Sequence, residues 1–198
     1  MTMLHTIRTV MLAAAVALPA ACAGVGRTAA AEADAQSART EILDGLFEKL
    51  AEADSEETAD LVSASIWRIW RDSGSETVNV LLDRSIDAMQ KEELEVALQV
   101  LDEVVQLAPR FAEGWNKRAT VHFMLKNYGA SISDIERALA LEPRHFSAMT
   151  GLGTILKETG REAAALEVFR RALAINPHLG SAREAIQELQ FEVEGREI

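Results

Sequence analysis

The sequence predicts an all-α fold assembled from a tandem repeat. Three observations carry that prediction. Pro109, Pro143 and Pro177 follow one another at intervals of 34 residues. Small side chains recur in step with them, at Ser85, Ala119 and Gly153 and again at Ala97, Ser131 and Ala165. Near the C-terminus, apolar residues at positions 182, 185, 186, 189 and 193 trace one face of a helix. A fixed period of roughly 20–50 residues marks a chain built from stacked units, none of which can bury its own apolar face.

The chain has 198 residues and a formal net charge of −11. That balance argues against a nucleic-acid partner, because phosphate contacts need clustered Lys and Arg. Its single cysteine excludes an intramolecular disulfide and a Cys-rich zinc site. An apolar share of 48% excludes a disordered chain.

Residues 1–23 read as a secretory signal peptide. Arg8 opens it, Val10 to Leu18 form a short apolar core, and Pro19 breaks that core. Ala21 and Ala23 then supply the small residues that precede cleavage. The apolar run falls short of the roughly 20 residues that a spanning helix needs. Cys22, after Pro19-Ala20-Ala21, offers an alternative: attachment of a lipid, which would tether the chain to an envelope membrane. Leu18 stands one place too early for the usual lipoprotein pattern. A membrane contact is expected only through a lipidated Cys22. Residues 24–40 mix Ala, Gly and polar side chains without apolar periodicity and read as a flexible tether.

Three units follow, at 78–111, 112–145 and 146–179. A large apolar residue takes the twenty-fourth place of each (Leu101, Ile135, Phe169), and a slimmer one the twenty-seventh (Val104, Ala138, Ala172). Residues 41–77 fit the register loosely, as a degenerate repeat or a separate helical pair. Phe47 falls on the fourth place and Ser63 on the twentieth, but Trp70 is too large for its slot and Ser75 stands where a proline is due. Trp67 and Trp70 lie three apart on one helix face. They are expected to pack against the first repeat; the alternative is an exposed aromatic patch that would serve self-assembly. Residues 180–198 read as a capping helix and tail, with Ser181 and Glu184 placed as a capping box.

Trp115, the pair Leu152-Gly153, and Ala165, Phe169, Ala172 and Pro177 occupy the signature places of a known pattern. Over residues 78–179 the sequence resembles the tetratricopeptide repeat. The resemblance implies an α-solenoid of antiparallel helix pairs with a C-terminal capping helix. The first helix of each pair would line a concave groove through the second, fifth, ninth, twelfth and thirteenth places. On that basis the expected partner-binding residues are Leu82, Ile86 and Met89 in the first repeat, and Asn116, Thr120, Phe123 and Met124 in the second. So many apolar side chains on a face turned to water suit an apolar peptide or an amphipathic helix. The alternative is that the leading helices or the twist of the array cover them. A clamp for a C-terminal carboxylate is disfavoured, because its Lys and Asn places hold Leu82 and Ile86. Arg84 and Arg118 share the seventh place. An ion pair is expected there, Arg118 with Asp134, the alternative being an anchor for an acidic ligand group.

Catalytic patterns are poor. His5, His122, His145 and His178 include no pair four apart, and no serine has a Gly-x-Ser-x-Gly setting. Gly151-Leu152-Gly153 falls in mid-helix and follows no strand, so it is no phosphate loop. The expectation is a non-enzymatic protein with no cofactor, metal or small-molecule substrate. It would be exported to the periplasm and bind another protein or peptide in envelope assembly or maintenance.

Overall fold

A computed structural model describes residues 22–195. The signal read over residues 1–23 lies outside them, except for its last two positions. The chain divides into two units, Met1–Arg39 and Thr40–Ile198. Every element among the described residues is a helix: α1 Cys22–Ala51, α2 Glu56–Trp70, α3 Glu76–Gln90, α4 Leu94–Leu107, α5 Ala112–Met124, α6 Tyr128–Leu141, α7 Phe146–Glu158, α8 Glu162–Ile175 and α9 Gly180–Gly195.

The stretch read as a flexible tether, 24–40, is helical and continues into residues 41–51. Its alanines are the strongest helix formers. They leave no apolar stripe, so periodicity could not register this helix. Cys22 is its first residue.

Helices α3 to α8 form three successive antiparallel pairs. The turn inside each pair obeys one rule. Glu92, Lys126 and Gly160, spaced 34 apart, all take the left-handed conformation, with φ of 60°, 61° and 72°. The next amide reaches back across each helix end, Glu93 to the Ala88 carbonyl (2.9 Å), Asn127 to His122 (2.8 Å) and Arg161 to Leu156 (2.8 Å). These six-to-one bonds complete Schellman caps that satisfy the last carbonyls of α3, α5 and α7. The turn between pairs also repeats. Phe111, His145 and Leu179 donate their amides to the carbonyls of Ala108, Glu142 and Asn176 across each proline.

The small residues permit close helix approach. A Cβ on Gly153 would stand 2.7 Å from the Phe169 ring, and one on Gly114 would stand 2.8 Å from Val104. Ser131 fills its slot and donates to the Ala119 carbonyl at 2.7 Å, joining α6 to α5. Arg118 on α5 makes the expected pair with Asp134, as a two-pronged contact of 2.8 and 2.7 Å, and adds Asp102 of α4 at 2.8 Å. The Asp134 hydrogen bond, ahead of the opposing effect of burial, raises the Arg118 pKa above its ordinary value. Arg84 is exposed and takes part in no ion pair among the described residues. At α9 the capping box does not form. The Arg183 amide bonds the Leu179 carbonyl at 3.1 Å, so Leu179 takes the cap position and Ser181 lies within the first turn.

Within the second unit, residues 40–51 of α1 and the whole of α2 build a core of Leu43, Phe47, Leu50, Ala59, Ile66 and Trp70. Trp67 and Trp70 were expected against the first repeat. They pack instead on Phe146 at the start of α7, and Ile175 at the end of α8 and Leu179 just before α9 join the same core.

Candidate functional site

Helices α3, α5 and α7 are the first members of their pairs, and the expected binding residues lie on α3 and α5. The structure separates them. Leu82 is 1% exposed, packed in one cluster with Val104, Phe111 and Val121, so it belongs to the core and presents nothing to a partner. In the first pair the fifth place faces the core shared with α5 rather than water. Ile86 and Met89 lie half-buried against the same cluster. Phe123 packs against a different one, with Ala119, Ile135 and Tyr128. Leu82, Ile86, Met89 and Phe123 therefore do not form one open apolar strip. Met124 is 39% exposed.

Asn116, Thr120 and Phe123 do converge. With Ile135 of α6 and Ser147 and Gly151 of α7, they line a cavity of about 70 Å³ between α5 and α7. Such a volume suits one inserted side chain; a small-molecule pocket typically takes about 300 Å³ or more. Gly151 leaves room on the α7 side, since a Cβ there would lie 3.7 Å from Ile135. The Thr120 hydroxyl donates to the Asn116 carbonyl at 2.9 Å, which holds its methyl group in place.

One turn earlier on α5 lies a buried polar group that the sequence reading missed. Glu113 is 1% exposed and Asn116 is 4% exposed. The Asn116 amide donates to Glu113 Oε2 at 2.9 Å. His145 Nε2 stands 3.0 Å from the same oxygen. Its Nδ1 accepts the Ala148 amide at 3.3 Å, capping α7, which leaves the ring proton on Nε2 to donate to Glu113. Lys117 Nζ lies 3.1 Å from Glu113 Oε1. Burial pushes the Glu113 carboxyl up, but the His145 hydrogen bond, the Lys117 charge and the Asn116 amide together hold it below its usual value.

Helix α2 roofs this group. The Trp70 ring stacks on His145, Trp67 meets His145 edge-on at 5.8 Å, and Lys117 sits 5.5 Å over the Trp67 ring. From the α1 side, Asp44 accepts from Arg144 at 2.5 Å, whose guanidinium lies 4.3 Å over Phe47. Between α2 and α3 runs an open cleft of about 550 Å³, lined by Trp67, Arg68, Arg71, Asn79 and Asp83. The leading helices thus cover Glu113 and Asn116, while Thr120, Phe123 and Met124 keep exposed surface.

A helical-pair array with its small residues, caps and prolines in a 34-residue register defines a class of repeat protein, and sequence comparison agrees. The Tetratricopeptide repeat profile matches residues 82–135 and 127–179. A TPR repeat-containing protein of Rhizobium etli is 37% identical over 162 residues, covering 82% of this chain and 79% of that protein. The chain belongs to the tetratricopeptide repeat family. Solved structures share its fold. The first TPR of Spaghetti (RPAP3), bound to the HSP90 peptide SRMEEVD, superposes with a TM-score of 0.58 at 18% identity, over 61% of this chain and 95% of that one. The TPR2B domain of yeast Sti1, in its pHsp70 complex, gives 0.55 at 22% identity, over 62% and 99%.

Proposed function

We propose that this chain is a non-catalytic interaction module. It holds a peptide or amphipathic helix against the inner face of α5 and α7, in the assembly or maintenance of the cell envelope. The observation that carries the reading is the side-chain-sized cavity lined by Asn116, Thr120, Phe123 and Ser147. It combines an apolar floor with the half-exposed hydroxyls of Thr120 and Ser147, which can meet a backbone. The HSP90 peptide bound to the Spaghetti domain supports the peptide class of partner. Placement in the periplasm rests on the leader read from residues 1–23. Replacing Phe123 by Glu puts a charge at the cavity mouth. The expected result is loss of the partner captured by in-cell crosslinking of the exported protein, with the helical circular dichroism unchanged. Undiminished capture would sink the groove reading. Palmitate labelling that disappears in Cys22→Ala would assign the lipid-tethered form instead.

A further inference from the structure

The inner face already holds a helix, and that helix belongs to the same chain. Three observations mark it as a seat rather than another layer of the stack. First, α2 brings two indoles, Trp67 and Trp70, onto His145 and Phe146. This leaves an open cleft beside α3, the helix next to it in sequence. Second, the fit is incomplete. Trp70 Nε1 is buried with no hydrogen-bond partner among the described residues, whereas Glu113 Oε1 beneath it is met by Lys117 at 3.1 Å. Third, the link to α3 is built as a pivot. Gly74 has φ of +80°, and Asn79 latches the link across it, accepting from the Ser73 amide at 2.9 Å and donating to Asp72 at 3.1 Å. A left-handed glycine in a short link is where a rigid arm turns once the Asn79 bonds part.

We propose that α2, together with Asp44 and Phe47 of the adjoining end of α1, is the resident occupant of a binding seat formed by Glu113, Lys117, Arg144, His145 and Phe146. The partner of that seat is an amphipathic helix that displaces it. The chemistry of the fit defines the incoming helix. It carries two aromatic side chains three residues apart, to replace Trp67 and Trp70 over His145 and under Lys117. It also carries a carboxylate to replace Asp44 on Arg144. An acceptor placed for the N–H of the second aromatic would correct the unmet donor of Trp70 and favour the newcomer. This deepens the proposed groove function, since displacement would uncover Glu113 and Asn116 beside the cavity at Thr120 and Phe123.

The test uses the full chain and a fluorescein-labelled synthetic peptide of residues 55–72. The double variant Asp44→Ala/Phe47→Ala loosens the arm from the α1 side and leaves every seat residue intact. By anisotropy, the peptide should bind this variant at least tenfold more tightly than it binds the natural chain. A peptide with both tryptophans replaced by Ala should bind neither. Equal affinity for the two chains overturns the proposal, as does no binding to a variant whose circular dichroism shows a folded protein. Native-state hydrogen exchange supplies a second reading on the unmodified chain. The amides of α2 should exchange through an opening that leaves α5 and α7 protected; exchange of all three in step overturns the proposal. The outcome is separable from that of Phe123→Glu, because the peptide reports on the His145 seat and not on the capture of a foreign partner.

Discussion

The Trp70 indole lies flat on the His145 imidazole, with ring centroids 4.1 Å apart and planes 10° from parallel. The imidazole is fully buried and uses both nitrogens, one for the Ala148 amide and one for Glu113. His145→Ala therefore removes a stacking surface, a helix cap and a donor to a buried carboxylate together. A loss of about 3–5 kcal/mol is expected, by analogy with breaking a buried charged pair. Equilibrium urea unfolding checks it. A loss below about 1 kcal/mol would refute the role given to this ring.

Glu113 predicts how acid acts on the fold. Its carboxyl is held below its ordinary value in the folded state. An Asp or Glu shifted this way adds stability that is fully present above the unfolded pKa, about 4.3, and is lost as pH falls through the lower folded value. Glu113→Gln removes the charge. The natural chain should be more stable than the variant at pH 7, and the gap should close progressively below about pH 5. Urea midpoints of both proteins from neutral to acid pH test this; a gap that widens on acidification contradicts it.

Gly153→Ala sets two effects against each other. Alanine gains about 1 kcal/mol in helix propensity. Its methyl group would meet three Phe169 ring atoms between 2.7 and 2.9 Å, and that ring is only 1% exposed. Overpacking of this kind costs about 1–3 kcal/mol, so net destabilisation is expected. Adding Phe169→Leu should recover part of the loss, and thermal unfolding of the three proteins decides it.

Glu92→Gly should stabilise. Glu92 occupies a left-handed position that Gly160 fills in the third pair. A non-glycine residue there costs about 1–2 kcal/mol, and glycine returns part of that gain as unfolded-chain entropy. The expected net is about 0.5–1 kcal/mol, read as a higher denaturation midpoint. Gly160→Ala should move the midpoint the other way.

Arg118 separates a buried pair from an exposed one on a single guanidinium. Asp134 has 6% side-chain exposure and Asp102 has 49%. Asp134→Ala removes the buried, two-pronged partner, leaves the guanidinium with the exposed Asp102 alone, and should cost about 3 kcal/mol. Asp102→Ala should cost less than about 1 kcal/mol. Equal costs would show that exposure does not govern this network.

The repeat was legible because its determinants are local and periodic. Pro109, Pro143 and Pro177 end helices, and Ser131 and Gly153 set distances between helices close in sequence. The Arg118–Asp134 pair was legible for the same reason. The seat of α2 was not, because Trp67 and His145 approach each other across intervening repeats and no period connects them. Leu82 was misplaced because a place-by-place rule says which way a side chain points and not what lies in front of it. Glu113 and His145 carried a faint signal: a carboxylate on an inner-face position one repeat before a histidine beside a proline. Nothing in the spacing said that the two would meet under a tryptophan.

The arm is made first and its seat last. Ser63 meets Asn176 across 113 residues, and Ala53 meets His178 across 125. At a synthesis rate of about 5–20 residues per second, Trp67 and Trp70 wait on the order of ten seconds for their cover. Until the turn after α8 emerges, α1 and α2 carry an apolar face with nothing to set it on. A chain cut short before His145 keeps that face for good, and it is the form of this protein with most reason to aggregate.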